Sequence, residues 1–188
     1  MTRFGMAALL AAGVLLAPRP AAAQLSLAPF TGLATGHIGA ASGNDGRGST
    51  LSLGGSVAVI EDSGWGAEFD FGYADDDNGR SGGLDAQSYM LNLIGMWPTG
   101  RLRPFVTAGA GGIRARSCVQ ACTGTTAWTD WGLTGGGGLQ YQLNGLAALR
   151  GDVRYFTAPG DHPDPNRPDG FSFWRISVGA TFVWSILP

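Results

Sequence analysis

The stretch Trp65-Gly66-Ala67-Glu68-Phe69-Asp70-Phe71-Gly72-Tyr73 decides the fold of this chain. Its odd positions carry Trp, Ala, Phe, Phe and Tyr, and its even positions carry Gly, Glu, Asp and Gly. Successive side chains of a β-strand point to opposite faces. The segment therefore predicts a strand with one apolar face and one face bearing two carboxylates. A soluble sandwich would also suit this pattern, burying the apolar face and wetting the other.

Aromatic spacing separates the two. Four segments each carry a pair of aromatics on one parity, eight or ten positions apart: Trp65 and Tyr73, Tyr89 and Trp97, Trp131 and Tyr141, Trp174 and Trp184. At roughly 3.3 Å per residue and a tilt of about 40°, such a spacing covers on the order of 20–25 Å. That is close to the apolar band of a transmembrane barrel, whose rims carry aromatic girdles. The alternative, a lipocalin-like carrier with the aromatics lining a ligand cavity, does not call for that spacing.

Outward from Trp65, eight strand-like runs cover about 30–40, 50–60, 65–73, 87–97, 104–113, 129–142, 147–155 and 171–184. The connections alternate in length. Those near 41–49, 75–86, 115–128 and 158–170 are long and rich in Gly, Asp, Asn, Ser and Pro; those near 61–64, 98–103 and 143–146 are short. Asn144-Gly145 predicts a tight type I′ hairpin. The glycines of the fifth run permit a bulge and leave its facing open. The expected fold is all-β, an eight-stranded antiparallel up-and-down transmembrane β-barrel with short periplasmic turns and long extracellular loops.

Composition agrees. Charged residues make up 14% of the chain, against about 25% in soluble domains. The 32 glycines have no three-residue period and suit neither helix nor collagen. A formal net charge of −2 argues against nucleic acid, and all twelve cations are arginine. At the N-terminus, Arg3, the uncharged run from Met6 to Ala17 and Ala21-Ala22-Ala23 read as a secretory signal cleaved before Gln24. The run is shorter than the roughly 20 residues a spanning helix needs. The expected organisation is a signal peptide over 1–23 and one barrel domain over 24–188. Cys118 and Cys122 lie four apart, which in an exported chain predicts a small disulfide loop rather than a metal pair.

Seven charges fall on the parity opposite the girdles: Glu68, Asp70, Asp130, Arg150, Asp152, Arg154 and Arg175. An arginine at mid-depth on the lipid face would cost roughly 2–4 kcal/mol. Inside an eight-stranded barrel, whose lumen is just wide enough to fill with side chains, the same groups can pair. The expectation is a polar, salt-bridged plug. An ion or proton path through these groups is the rival reading.

Other polar groups give weaker signals. Asp75-Asp76-Asp77-Asn78-Gly79 lacks the Gly and Glu positions of an EF-hand and reads as a solvated turn. His37 reads as a lumen or rim group, and His162 sits in a Pro/Asp loop without a placeable nucleophile. Arg114 and Arg116 lie near the outer rim, where lipopolysaccharide phosphates would be within reach. No catalytic, cofactor-binding or metal-binding set emerges, and no cofactor is expected.

Arg103-Pro104-Phe105-Val106-Thr107-Ala108-Gly109-Ala110-Gly111, Gly135-Gly136-Gly137-Gly138-Leu139-Gln140-Tyr141-Gln142-Leu143 and Val153-Arg154-Tyr155-Phe156, in this order and spacing, resemble the OmpA-like eight-stranded barrels grouped as the outer membrane protein beta-barrel domain. The resemblance covers nearly all of the chain after the signal. It implies a Gram-negative outer-membrane protein, non-enzymatic, with a salt-bridged interior and a structural or surface-interaction role. Narrow porin-like conduction of ions or small solutes is the alternative, and a lipid-modifying barrel enzyme a more distant one. The implied partners are outer-membrane lipid and lipopolysaccharide, plus a surface partner held by the long loops. Two features depart from the family pattern. No peptidoglycan-binding domain follows the eighth strand, so wall tethering is not expected. The terminal aromatic that assists assembly is displaced, because Ser185-Ile186-Leu187-Pro188 follow Trp184.

Overall fold

The computed structural model describes residues 30–43, 49–75, 84–97, 100–119, 124–159 and 170–185. Eight strands run in chain order: β1 (Phe30–Gly43), β2 (Ser49–Glu61), β3 (Trp65–Asp75), β4 (Leu84–Met96), β5 (Leu102–Val119), β6 (Gly124–Gln142), β7 (Ala147–Ala158) and β8 (Phe171–Ser185). Each pairs antiparallel with its sequence neighbours, and β1 pairs with β8 to close the barrel. Closure leaves no strand edge, which is what a wall in hydrocarbon requires of its backbone N–H and C=O groups.

Alternation along the strands sorts the side chains. Leu53, Val57, Phe69, Phe71, Leu91, Leu93, Ile176 and Val178 are exposed on the outer wall, while Ser52, Ser56, Glu68, Asp70, Asn92 and Arg175 are buried within. β5 resolves without a bulge: Phe105, Thr107 and Ile113 point in and Val106 points out, in unbroken register with β4 and β6.

Three readings of the sequence need amendment. The β5–β6 ladder continues to Val119 opposite Gly124, through residues expected to lie in a long loop. Ser, Thr and Gly there mark a turn by composition, yet pairing with a neighbouring strand satisfies their backbone just as well. Among the described glycines only Gly64, Gly100 and Gly170 have positive φ, so Gly145 does not form the type I′ turn. Instead Asn144 Oδ1 accepts from the backbone N–H groups of Leu146 and Ala147, both at 2.9 Å, and closes a wider connection.

The third amendment concerns the lumen, which is not polar throughout. Leu33, Ile60, Ile94, Met96, Phe105 and Val183, with Ala58 and Ala148, form an apolar cluster at the turn end. Met90, Ile113, Phe156 and Phe173, with Ala41, Ala74 and Ala158, form a second toward the loop end. The rings of Phe156 and Phe173 stack there at 4.6 Å. The expected signal peptide, the Cys118–Cys122 pairing, the Asp76 to Gly79 turn and His162 lie outside the residues or side chains described.

Candidate functional site

Charge occupies the level between the two apolar clusters. Alternation on β3 turns Glu68 and Asp70 inward, and alternation on β7 turns Arg150, Asp152 and Arg154 inward. Arg175 enters from β8, passing the bare backbone of Gly72, where a Cβ would collide with its Nη1. Arg175 Nη2 donates to both oxygens of Asp70, at 2.9 and 2.8 Å. The Nη2 atom of Arg154 lies 3.0 and 3.2 Å from the two oxygens of Glu68 and 3.3 Å from Asp152, while its Nη1 lies 3.4 Å from Asp70. Arg150 Nη2 reaches Glu68 Oε1 at 2.7 Å. Arg154 is thus the hub, in contact with all three carboxylates.

Neutral donors complete the carboxylate shells. Ser177 Oγ donates to Asp152 Oδ1 at 2.6 Å, and Asn92 Nδ2 donates to Glu68 Oε2 at 3.4 Å. His37 joins from β1, its Nε2 3.5 Å from Asp70 Oδ2. Its ring lies against Gly54, its register partner on β2, while its Cα and Cβ face Gly179, its partner on β8. A Cβ on Gly54 would stand 2.9 Å from His37 Nε2, so a larger residue there would displace the ring.

Three guanidiniums face three carboxylates, so the layer is formally neutral apart from His37. Two contacts join it to the apolar clusters. The Arg150 guanidinium lies 4.0 Å from the centre of the Phe105 ring, and that of Arg175 lies 5.0 Å from the centre of Phe156. Each ring presents its electron-rich face to a cation that has lost its water. Arg150 and Arg175 are each held by a carboxylate on one side and an aromatic face on the other.

Six of the seven charges singled out from the sequence come together this way. Asp130 does not join the centre. It is half-buried on β6 opposite Ile113, four residues along that strand from Thr134, whose register row contains Glu68. His37, read as a lumen or rim group, lies in the layer; Asn92 and Ser177 join it, and Phe105 and Phe156 border it from the apolar clusters, without having been singled out as site residues. Parity placed Asn92 inside, but no sequence signal names the level at which a side chain sits.

The girdle residues divide between the two ends. Trp65, Trp97, Tyr141 and Trp184 stand at the turn end, and Tyr73, Tyr89, Trp131 and Trp174 at the loop end. Two turn-end rings lie flat over glycine on the adjacent strand: Trp65 over Gly95 and Trp184 over Gly32. An aromatic covering a glycine in this way fills the missing side-chain volume and fixes register.

Comparison with known proteins agrees with this architecture. Residues 7–182 match the family described as outer membrane protein beta-barrel domain. No curated protein matches the chain by sequence. Among solved structures, Neisserial surface protein A superposes with a TM-score of 0.65 at 17% identity, over 81% of this chain and 96% of that one. The N-terminal β-barrel of Pseudomonas aeruginosa OprF gives 0.55 at 15% identity, over 83% and 97%. The attachment invasion locus protein Ail of Yersinia pestis gives 0.54 at 13% identity, over 84% and 99%. The chain belongs to the outer membrane protein beta-barrel domain family and is an outer-membrane protein.

Proposed function

We propose that this protein is a sealed, non-enzymatic barrel that anchors and presents its loop end at the cell surface. The observation that carries the proposal is the three-tiered filling of the lumen, with balanced charge closed off on both sides by apolar side chains. Opening such a lumen would separate buried ion pairs, and a stranded buried charge costs about 3–5 kcal/mol. His37, buried against Asp70 inside the barrel, is poorly placed for chemistry on membrane lipid. Two structural neighbours are themselves named a surface protein and an attachment protein, in keeping with a surface-interaction role. Contact with outer-membrane lipid along the apolar wall, and with lipopolysaccharide through the exposed Arg114, completes this reading.

A narrow channel is the second reading. It is favoured by the Nε and Nη1 atoms of Arg175 and the amide of Gln140, which are buried without hydrogen-bond partners among the described residues. Planar-bilayer recording of the purified protein separates the two. The sealed barrel gives no stable unitary steps; reproducible steps would replace it with the channel.

A further inference from the structure

The turn end of the lumen carries a feature that neither sealing nor anchoring uses. An open cavity of about 580 Å³ lies there, bordered by Arg101, Arg103 and Gln142 on the lumen side and by Leu146 and Trp184 on the rim side. Among the described residues no carboxylate lines it. Among the described residues neither arginine makes an ion pair, and Arg103 Nε is buried without a hydrogen-bond partner. Glu61 and Asp62 border an adjoining cavity of about 200 Å³ that shares Arg103, and Glu61 there accepts a hydrogen bond from Ser63 Oγ at 3.0 Å. Two unpaired guanidiniums on one cavity present forked N–H donors that match phosphate oxygens.

The rim side indicates where the phosphate comes from. Trp184 belongs to the turn-end girdle, which marks the level where hydrocarbon gives way to headgroups. In barrels of this type the turn end faces the periplasm. The cavity therefore stands between the periplasmic mouth of the lumen and the headgroup level of the inner leaflet. We propose that Arg101 and Arg103 bind a phosphate oxyanion here, that of an inner-leaflet phospholipid headgroup, with free phosphate as the alternative source.

The test uses the full barrel, in wild-type form and as the double variants Arg101→Gln/Arg103→Gln and Arg101→Lys/Arg103→Lys, with Arg114→Gln as a loop-end control. Heat-dependent gel mobility first confirms that each is folded. Native mass spectrometry then reads lipid retained from mixed phosphatidylglycerol and phosphatidylcholine micelles, and calorimetry reads binding of inorganic phosphate. The Gln double variant is expected to lose roughly tenfold in phosphatidylglycerol retention. The Lys variant should keep most of it, and Arg114→Gln should match wild type. Arginine-dependent binding of inorganic phosphate without lipid preference would also support the site, and would assign it to the free ion. Equal lipid retention and equal phosphate binding in the wild type and the folded Gln variant would overturn the proposal.

Discussion

The charged layer and the apolar clusters fill the same tube with opposite rules. In the clusters, Leu33, Phe105, Met90 and Phe156 exclude water by volume, and a lost methylene is felt roughly in proportion to its size. In the layer, each group depends on identified partners, and removing one side of a pair harms more than removing both. The clusters keep the layer dry, and the layer fixes how the strands align around it. Buried ion pairs are a weak source of net stability, and here they tie β3 to β7 and β8 across the lumen.

The largest expected effect comes from the hub. Arg154→Met leaves Glu68, Asp70 and Asp152 with two guanidiniums and should destabilise the barrel by about 3–5 kcal/mol, read by urea unfolding from lipid vesicles. Adding Glu68→Gln restores balance, two charges against two, and should recover part of that loss. A double variant no better than the sum of its parts would show that partner matching does not govern the layer.

Next in size is a charge on the outer wall. Val178→Arg, at an exposed position between Trp174 and Trp184 on β8, should cost about 2–4 kcal/mol in the same assay. A cost near zero would mean that this surface does not meet hydrocarbon. A smaller effect tests the joint between layer and cluster: Phe156→Leu keeps much of the volume but loses the face under Arg175 and the stack on Phe173, and should cost about 1–2 kcal/mol. If Phe156→Leu matched Arg154→Met, the contrast between volume and partner matching would fail. Smallest of all is Gly36→Ala, where a Cβ meets nothing within 4 Å; unfolding free energy should stay within about 0.5 kcal/mol of wild type.

Much of this barrel is legible from alternation, because a membrane wall imposes it on every strand. β3, β7 and β8 read cleanly because bulky and ionised residues take turns there. β5 does not, because Ala108, Gly109, Ala110, Gly111 and Gly112 hardly differ in polarity and only the register with β4 sets their facing. Level within the tube is hidden for a different reason. Parity says that Asp130 and Glu68 both point inward, but height depends on strand tilt and stagger, which are properties of the closed sheet. The same blindness concealed the apolar tiers: Met90 and Ile94 have inward parity, yet one belongs to the loop-end cluster and the other to the turn-end cluster. The loop-end extension of the β5–β6 ladder is hidden by composition, since Ser-, Thr- and Gly-rich residues read as a turn whether or not their backbone pairs.

The seam between β1 and β8 bears on how the molecule is made. It joins Thr31 to Ser185 and runs unbroken to Gly43 opposite Phe173, with Trp184 pressed down on Gly32. Its two sides come from the first and the last strand of the barrel, so the seam is a long-range pairing that cannot form before both are present. Until the last strand arrives, a nascent sheet presents two raw margins to whatever else is nearby. The β1–β8 seam is therefore the last pairing the barrel can complete, and the Trp184 ring covers Gly32 at its turn end.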